Sequence, residues 1–371
     1  MTDLLVSRPD MADTIAAMLS PDPLVGSLSG LFLAAPRRTG KSTFLRTDLT
    51  PLLKSKGKTV LYVDLWADRT RDPGALIFDC IRAGLEEHSS SIRRFQKSMP
   101  VDRIGILGFS ISFKSAEEFT GTPSDALQLL AAATGRDVVL IVDEAQQSLE
   151  SEDGISAMFA LKAARDAVNQ KPGADQPKLY LVMTGSHRDK LAALVYDQKS
   201  PFFGAQVRDF PPLGKEYSKA VADRVNTHLS EGNRLSVDEL DQAFQRLGRK
   251  PEMLIECLRD LVLEPVEAPI ALEAIVERRK AQMEAARRSE IAALSNLQQA
   301  ILRRIARERT DFAPFTAETR HALAEVNGGR MPSLGAIQKA LDVLREKGFI
   351  WRPGYGAYAL ENAEIVGALD L

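Results

Sequence analysis

The first half of the chain contains short apolar segments separated by longer stretches of mixed polarity. A run of four to eight apolar residues between turn-forming residues is typical of a strand buried on both faces of a sheet. Five segments fit this description: residues 31–35, 59–66, 137–142, 178–183 and 207–213. The pattern therefore predicts a five-stranded sheet within residues 1–214.

Between these segments, hydrophobic residues recur with the spacing of one helix face. Strands that alternate with helices favour an α/β fold, in which a parallel sheet carries helices on both faces. Residues 104–113 alternate in polarity and contain two glycines, so we interpret them as an inserted hairpin or edge strand. The sequence predicts helices over residues 12–19, 73–87, 124–133 and 154–169, and a further helix that begins at Ser42.

The loop after the first predicted strand carries a phosphate-binding pattern. It matches G-x-x-x-x-G-K-[ST] except that Ala35 replaces the first glycine. In such a loop Gly40 lets the backbone approach the phosphates, Lys41 reaches the β- and γ-phosphates, and the Ser42 hydroxyl coordinates Mg²⁺. The strand before the loop and the amphipathic helix after it provide the context that this motif requires. The predicted ligands are ATP and Mg²⁺, and the predicted binding residues are Ala35, Pro36, Arg37, Arg38, Thr39, Gly40, Lys41, Ser42 and Thr43.

Polar residues follow the third and fourth predicted strands. Asp143 and Glu144 come directly after the apolar run 138–142. Ligands of open α/β sheets bind at the carboxyl ends of the strands, and an ATPase needs an acidic group near Mg²⁺ and a group that aligns water. We expect Asp143 to hold the metal and Glu144 to orient or deprotonate the water. Ser186 follows the fourth strand and is either a contact of the γ-phosphate or water, or a helix-capping serine.

Four segments together resemble the archaeal-type ATPases, which are AAA+-like P-loop proteins related to origin-recognition ATPases and to the STAND signalling NTPases. In chain order they read APRRTGKST, VVLIVDEAQQ, LVMTGSH and PFFGAQVRDFPPL. The resemblance implies the sheet order 5-1-4-3-2 and a helical lid over residues 215–266. It also makes Arg8 a candidate contact of the adenine, unless it is a surface residue, and Arg249 a candidate contact of the phosphates.

One residue departs from the family pattern. Relatives carry Pro-Leu-x-Gly-Arg after the fourth strand, whereas this chain has Ala205 in place of the arginine. Arg208, three residues further on, is either a replacement for it or a surface charge. The departure argues against activation by an arginine from a neighbouring subunit.

The C-terminal part of the chain changes character. We interpret residues 267–293 as a charged linker helix and residues 294–371 as three helices followed by a hairpin, which resembles a winged helix-turn-helix. Double-stranded DNA is a candidate partner of this module, with residues 334–347 in the major groove. The alternative is that the module packs against, or docks, a protein partner or a second copy of the chain. The candidate DNA contacts are Arg330, Lys339, Arg345, Lys347 and Arg352.

Composition narrows the function classes. The chain has 371 residues, of which 44% are hydrophobic and 26% are charged. Its net charge is −2, so bulk charge does not favour binding to a polyanion such as nucleic acid. It contains two cysteines and no apolar run of the roughly 20 residues that a membrane helix needs. These features predict a cytoplasmic protein.

The motifs predict an ATPase that acts as a nucleotide-driven switch. The alternative is an adaptor that binds nucleotide without hydrolysing it and recruits a protein partner. A P-loop kinase of small molecules is disfavoured, because a lid followed by a winged helix leaves no evident acceptor site.

Overall fold

A computed structural model describes residues 6–20, 22, 26, 29–98, 121–170, 176–261, 267–354, 356–362 and 364–369. Five parallel strands form one sheet in the order β2-β3-β4-β1-β5, which confirms the order that the resemblance implied. The hairpin predicted at residues 104–113 lies outside the described residues. The strands are β1 (Leu31–Ala34), β2 (Thr59–Asp64), β3 (Val138–Asp143), β4 (Leu179–Gly185) and β5 (Val207–Asp209).

The central strands are buried along their whole length. Every residue of β3 and β4 is buried, because each of these strands has a neighbour on both edges and helices on both faces. This burial explains why their sequences are continuous apolar runs rather than alternating ones. In register, Asp64 of β2 pairs with Asp143 of β3, so the polar ends of the two strands lie side by side.

The edge strand β5 is shorter than predicted. Only Val207–Asp209 pair with β1, and the Phe210 amide makes the last contact, to the Ala34 carbonyl at 2.8 Å. Pro211 and Pro212 have no N–H to donate, so the ladder cannot continue. The predicted strand 207–213 was therefore wrong over its last four residues.

Helices account for most of the remaining described residues. A π-helical segment, Leu45–Leu49, joins α2 to α3, so that the helix after the loop is continuous. The sequence did not predict α5 or α8. The helices are α1 (Pro9–Met18), α2 (Lys41–Phe44), α3 (Thr50–Ser55), α4 (Pro73–Glu87), α5 (Ser89–Ser98), α6 (Pro123–Thr134), α7 (Glu152–Asn169), α8 (Arg188–Ala192), α9 (Lys215–Val225), α10 (Val237–Arg246), α11 (Pro251–Leu261), α12 (Ala268–Ala292), α13 (Asn296–Glu308), α14 (Ala317–Val326), α15 (Leu334–Glu346) and α16 (Glu364–Ala368).

The sheet separates two hydrophobic cores. Leu140 and Val142 of β3 face α4, α6 and α7, whereas Val139 and Ile141 face α1 and the helix that follows the loop. Successive side chains of a strand point to opposite faces, so a single apolar run supplies both cores. This arrangement fixes the strand ends, and therefore the loops that follow them, in a rigid frame.

Two further cores lie beyond the sheet. The first joins α9, α10, α11 and the first half of α12, and the second joins the last turn of α12 to α13–α16 and the hairpin of β6 (Ile350–Gly354) and β7 (Ala357–Leu360). We call residues 294–371 the C-terminal module. The division of the chain at residues 214, 266 and 293 stays a prediction. No described helix combines the length and hydrophobicity that crossing a bilayer requires.

We expect Gly154→Ala to destabilise the fold. Gly154 lies in the first turn of α7, where an added Cβ would lie 2.4 Å from the Ser148 carbonyl oxygen of the 3-10 segment Ala145–Glu150. A backbone oxygen cannot swing aside, so the clash should outweigh the gain of about 1 kcal/mol in helix propensity and leave a loss of about 1–3 kcal/mol. Thermal unfolding measures this loss. Gly232→Ala is the control, because the described structure has no atom within 4 Å of that Cβ. A Tm for Gly154→Ala at or above that of the wild type contradicts the expectation.

Candidate active site

Two hydrogen bonds and one left-handed residue fix the course of the loop between β1 and α2. The Ala35 amide donates to the Gly185 carbonyl at 3.0 Å, which ties the start of the loop to the end of β4. The Thr39 hydroxyl donates to the Pro36 carbonyl at 2.9 Å. Gly40 has φ 82°, a left-handed conformation that glycine adopts without strain and that turns the chain into the helix.

The helix that starts at Lys41 presents its N-terminal end to the inside of this loop. The first four N–H groups of an α-helix have no partner within the helix, and the helix dipole adds partial positive charge there. Such an end is a ready binding site for a phosphate group. The loop therefore has the backbone arrangement that its sequence motif predicts.

Lys41 lies between the ends of β3 and β4. Its ammonium contacts the carboxylates of Asp143 and Glu144, the latter at 3.1 Å, and the Thr184 hydroxyl at 3.2 Å. The Lys41 side chain is 5% exposed and that of Asp143 is fully buried. A buried carboxylate requires a compensating charge, and this lysine provides it.

The lysine keeps both acids ionised. Burial by itself raises the pKa of the Asp143 carboxyl, but the charge of Lys41 and the hydroxyl donors Ser42 and Thr184 outweigh it, so the pKa lies below its usual value. Burial also opposes ionisation of Glu144. The charge of Lys41 and hydrogen bonds from Ser186 and Gln146 outweigh that effect, so the pKa of Glu144 is lowered as well.

Asp143 has two partners that the sequence reasoning did not pair with it. The Tyr62 hydroxyl of β2 donates to Oδ2 at 3.1 Å, and the Thr184 hydroxyl of β4 donates to Oδ1. Burial, followed by the Asp143 charge, raises the pKa of Tyr62, which therefore remains a proton donor. The available signal was the parallel sheet itself, because β2 and β4 both neighbour β3 and end at the same edge.

Glu144 is held by hydrogen bonds to one of its carboxylate oxygens. The Ser186 hydroxyl donates to Oε2 at 2.7 Å and the Gln146 amide donates to the same oxygen at 2.5 Å. The backbone at Glu144 is left-handed, with φ 56°, an uncommon conformation for a non-glycine residue that is found at functional turns. Ser186 thus contacts the acid. The N-cap residue of α8 is His187, so Ser186 does not cap that helix.

Two adjoining cavities meet at the loop. The first, of about 310 Å³, is lined by residues 36–43 together with Asp64, Trp66 and Glu144. The second, of about 420 Å³, shares Gly40 and Thr43 with the first and extends between the sheet domain and α11. Together they form one groove that has a polar end at Lys41 and a less polar end toward α11.

Arg8 lines the second cavity, where the resemblance placed it near the adenine. Its guanidinium donates to the carbonyls of Pro211 and Pro212, both at 2.9 Å, and its amide donates to Asp48 at 3.1 Å. Burial lowers the pKa of Arg8, although the charges of Glu216 and Asp48 act against this effect. The residue braces the wall of the cavity and is not a solvated surface arginine.

Ser42 and Asp143 have the chemistry of a magnesium site. The Ser42 hydroxyl lies close enough to Asp143 to lower the pKa of its carboxyl, so two oxygen ligands lie together beside the phosphate-binding loop. Mg²⁺ at nucleotide sites is typically held by one or two side-chain oxygens, the phosphates and water. The described residues contain no cluster of three or more acidic, histidine or cysteine side chains that could hold a metal alone.

The other arginines near the predicted site make contacts of their own. Arg249 donates to the Leu213 carbonyl at 2.9 Å and does not line either cavity. Arg208 contacts the sulfur of Met18 on α1, and Ala205 is buried in the sheet core. Arg38 lines the first cavity and pairs with Glu252 at 3.0 Å, which connects the loop to α11.

No protein-family model and no curated protein matches this sequence. Solved structures that are similar to it over most of their length include the following two. One is the Walker-type ATPase PABY2304 of Pyrococcus abyssi, with 18% identity, a TM-score of 0.54, and coverage of 99% of this chain and 96% of that one. The other is the ORC2 protein of Aeropyrum pernix in its ADP form, with 13% identity, a TM-score of 0.51, and coverage of 95% and 88%.

At 18% and 13% identity these likenesses establish the fold. The chain shares the P-loop fold of these two proteins. The predicted α/β fold, with five parallel strands in one sheet, is therefore confirmed, whereas the helical lid and the winged helix-turn-helix stay predictions.

We expect Lys41→Met to destabilise the protein in a pH-dependent way. At neutral pH the variant leaves two buried carboxylates without their ammonium, which costs about 3–5 kcal/mol. In the wild type the lowered pKa values stabilise the fold above the unfolded pKa of about 4 and lose that effect as the pH falls. In the variant only the remaining hydrogen bonds act against burial, so both pKa values should rise and proton uptake should relieve the cost on acidification.

The difference in Tm between wild type and Lys41→Met should therefore be largest near neutral pH and narrow toward about pH 4. Thermal unfolding across this range measures it. Lys56→Met removes an exposed pair with Asp13 and should change the Tm little at any pH. A difference that stays constant with pH contradicts the assignment of Lys41 as the compensating charge.

Proposed function

We propose that this chain is a Mg-dependent ATPase that acts as a nucleotide-driven switch. The observation that carries the proposal is the cluster of Lys41, Asp143 and Glu144, which lies against the open N-terminus of the helix after the loop. This cluster combines a cation for the phosphates with two ionised carboxylates at the ligand-binding edge of the sheet. The fold shared with a Walker-type ATPase and with an ADP-bound ORC2 protein supports the same conclusion.

The phosphates would lie in the first cavity, against the backbone of residues 35–43. Lys41 would then exchange its carboxylate partners for phosphate oxygens. Ser42 and Asp143 would hold Mg²⁺, which neutralises charge on the phosphates when bound. The base and ribose would lie in the second cavity, beside Arg8.

Glu144 would align the attacking water. Its Oε2 is held by Ser186 and Gln146, which leaves Oε1, now on Lys41, to turn to the water when Lys41 moves to phosphate. A carboxylate with a lowered pKa is ionised at neutral pH and can accept a hydrogen bond from water. Ser186 acts through Glu144 as a positioning residue.

A short path joins this site to the C-terminal module. Two residues after Ser186, the Arg188 amide donates to Glu361 at 2.8 Å and the Arg188 guanidinium stacks on Trp351. Asp189 pairs with Arg345 at 3.0 Å. A nucleotide that moves Ser186 would therefore act directly on contacts with the module, which supports a switch.

The output of the switch is DNA binding or recruitment of a protein partner. Helices α14 and α15 followed by the β6–β7 hairpin have the element order of a winged helix-turn-helix, and Arg330, Lys339 and Lys347 are exposed. These features support double-stranded DNA as the partner. The rival is an adaptor that stays closed with bound ATP and recruits a protein.

Glu144→Gln should slow ATP hydrolysis by roughly 10²–10⁴-fold, because the amide cannot accept a proton from water, while ATP still binds. Phosphate release and calorimetric titration with Mg-ATP measure the two quantities. Glu86→Gln, an exposed position on α4, is the matched control and should keep wild-type turnover. Lys41→Ala should abolish binding. If wild-type and Glu144→Gln rates coincide, the adaptor replaces the enzyme.

If the module binds duplex DNA, a gel shift should weaken steeply as salt rises, because phosphate contacts release counterions. Lys339→Ala and Lys347→Ala should each weaken binding on all sequences and lower the salt slope by about one unit. Lys54→Ala, an exposed lysine of α3, should not. No shift even at low salt rejects DNA and favours the protein partner.

A further inference from the structure

The proposed ATPase needs positive charge at the γ-phosphate beyond Lys41 and the metal. Phosphoryl transfer spreads negative charge over the γ-phosphate oxygens, and many P-loop enzymes meet it with an arginine. Neither the position of the family arginine nor the nearby Arg208 provides it here. Ala205 is packed in the sheet core, and Arg208 contacts Met18 of α1.

Arg37 lies where such a charge would act. It lines the same cavity as Lys41 and Glu144. Its Nε lies 3.5 Å from the Ser186 hydroxyl, which in turn donates to Glu144 at 2.7 Å. The guanidinium is therefore one hydroxyl group away from the carboxylate that would align the water.

An aromatic ring, and not a carboxylate, holds the Arg37 guanidinium in the described structure. It stacks on the Trp66 ring, with the guanidinium carbon 4.6 Å from the ring centroid. Within the part of the chain that the structure describes, no carboxylate forms an ion pair with Arg37. Its neighbours differ in this respect, because Arg38 pairs with Glu252 and Arg188 pairs with Asp209.

We propose that Arg37 is the catalytic arginine of this ATPase and acts within its own chain. Trp66 on one side and Ser186 on the other aim the guanidinium at the γ-phosphate. The arginine stays protonated and transfers nothing; it stabilises charge while water attacks phosphorus and the bond to ADP breaks. Turnover per chain is then independent of protein concentration, unlike that of an enzyme that borrows its arginine from a neighbour.

This proposal rests on the proposed ATPase function, and substitutions test it directly. Arg37→Ala should lower kcat by about 10³-fold and change the dissociation constant of ATP much less, because the contact strengthens in the transition state. Arg37→Lys should rescue little, since an ammonium lacks the planar fork of the guanidinium. Arg38→Ala should act mainly on nucleotide affinity, through the contact with Glu252.

Arg69→Ala is the matched control. The Arg69 guanidinium stacks on the same Trp66 ring, 4.5 Å from its centroid, but does not line the cavity. Its removal should leave kcat unchanged. Loss of kcat in Arg38→Ala or Arg69→Ala but not in Arg37→Ala overturns the assignment, as does a wild-type specific activity that rises with protein concentration.

Two binding measurements do not depend on turnover. Arg37→Ala should lose affinity for ADP with aluminium fluoride, which mimics the transferring phosphoryl group, but not for ATP. In a Trp351→Phe background Trp66 is the single tryptophan, because the chain has two. Its fluorescence should change when ATP binds, since the phosphates approach the guanidinium that stacks on the ring, and Arg37→Ala should reduce this change.

The outcomes separate the two proposals. A wild-type protein that binds no nucleotide and releases no phosphate rejects the ATPase itself, and Arg37 with it. A wild-type protein that turns over ATP while Arg37→Ala keeps its kcat and its affinity for the aluminium fluoride complex rejects only the role of Arg37.

Discussion

The ammonium of Lys41 holds two carboxylates ionised, of which Asp143 is fully buried and Glu144 is partly buried. Asp143 is fully buried, so its negative charge persists only because Lys41 and several hydroxyl donors surround it. The same contact fixes the loop, the end of β3 and the end of β4 relative to one another. A phosphate group would compete with these carboxylates for the lysine, which gives the site two alternative arrangements of charge.

The order of the strands brings further polar groups to the pair of Lys41 and Asp143. β3 lies between β2 and β4, and β1 follows on the other side of β4, so four strand ends converge on one edge. Tyr62, Asp143 and Thr184 therefore meet although they are far apart in sequence. Because the chain continues from β4 into α8, the same strand end also carries the contacts that hold the C-terminal module.

The loop places an arginine at the cavity, whereas position 205 at the sheet holds an alanine. An arginine at position 205 would have to leave a core that Ala205 now fills, whereas Arg37 reaches the same cavity from the loop itself. Its ring contact with Trp66 keeps the guanidinium in place without consuming its charge.

The sequence by itself determined β1–β4 to within two residues, and it located the loop, Asp143 and Glu144. Continuous apolar runs and the phosphate-binding motif are local signals. Burial on both faces of the sheet requires each central strand to be an unbroken apolar run. The end of β5, helix α8, and the contacts of Tyr62, Gln146 and Trp66 needed the tertiary structure. Which polar groups meet is decided by the register of strands and loops distant in the chain, and no local pattern of polarity encodes that register.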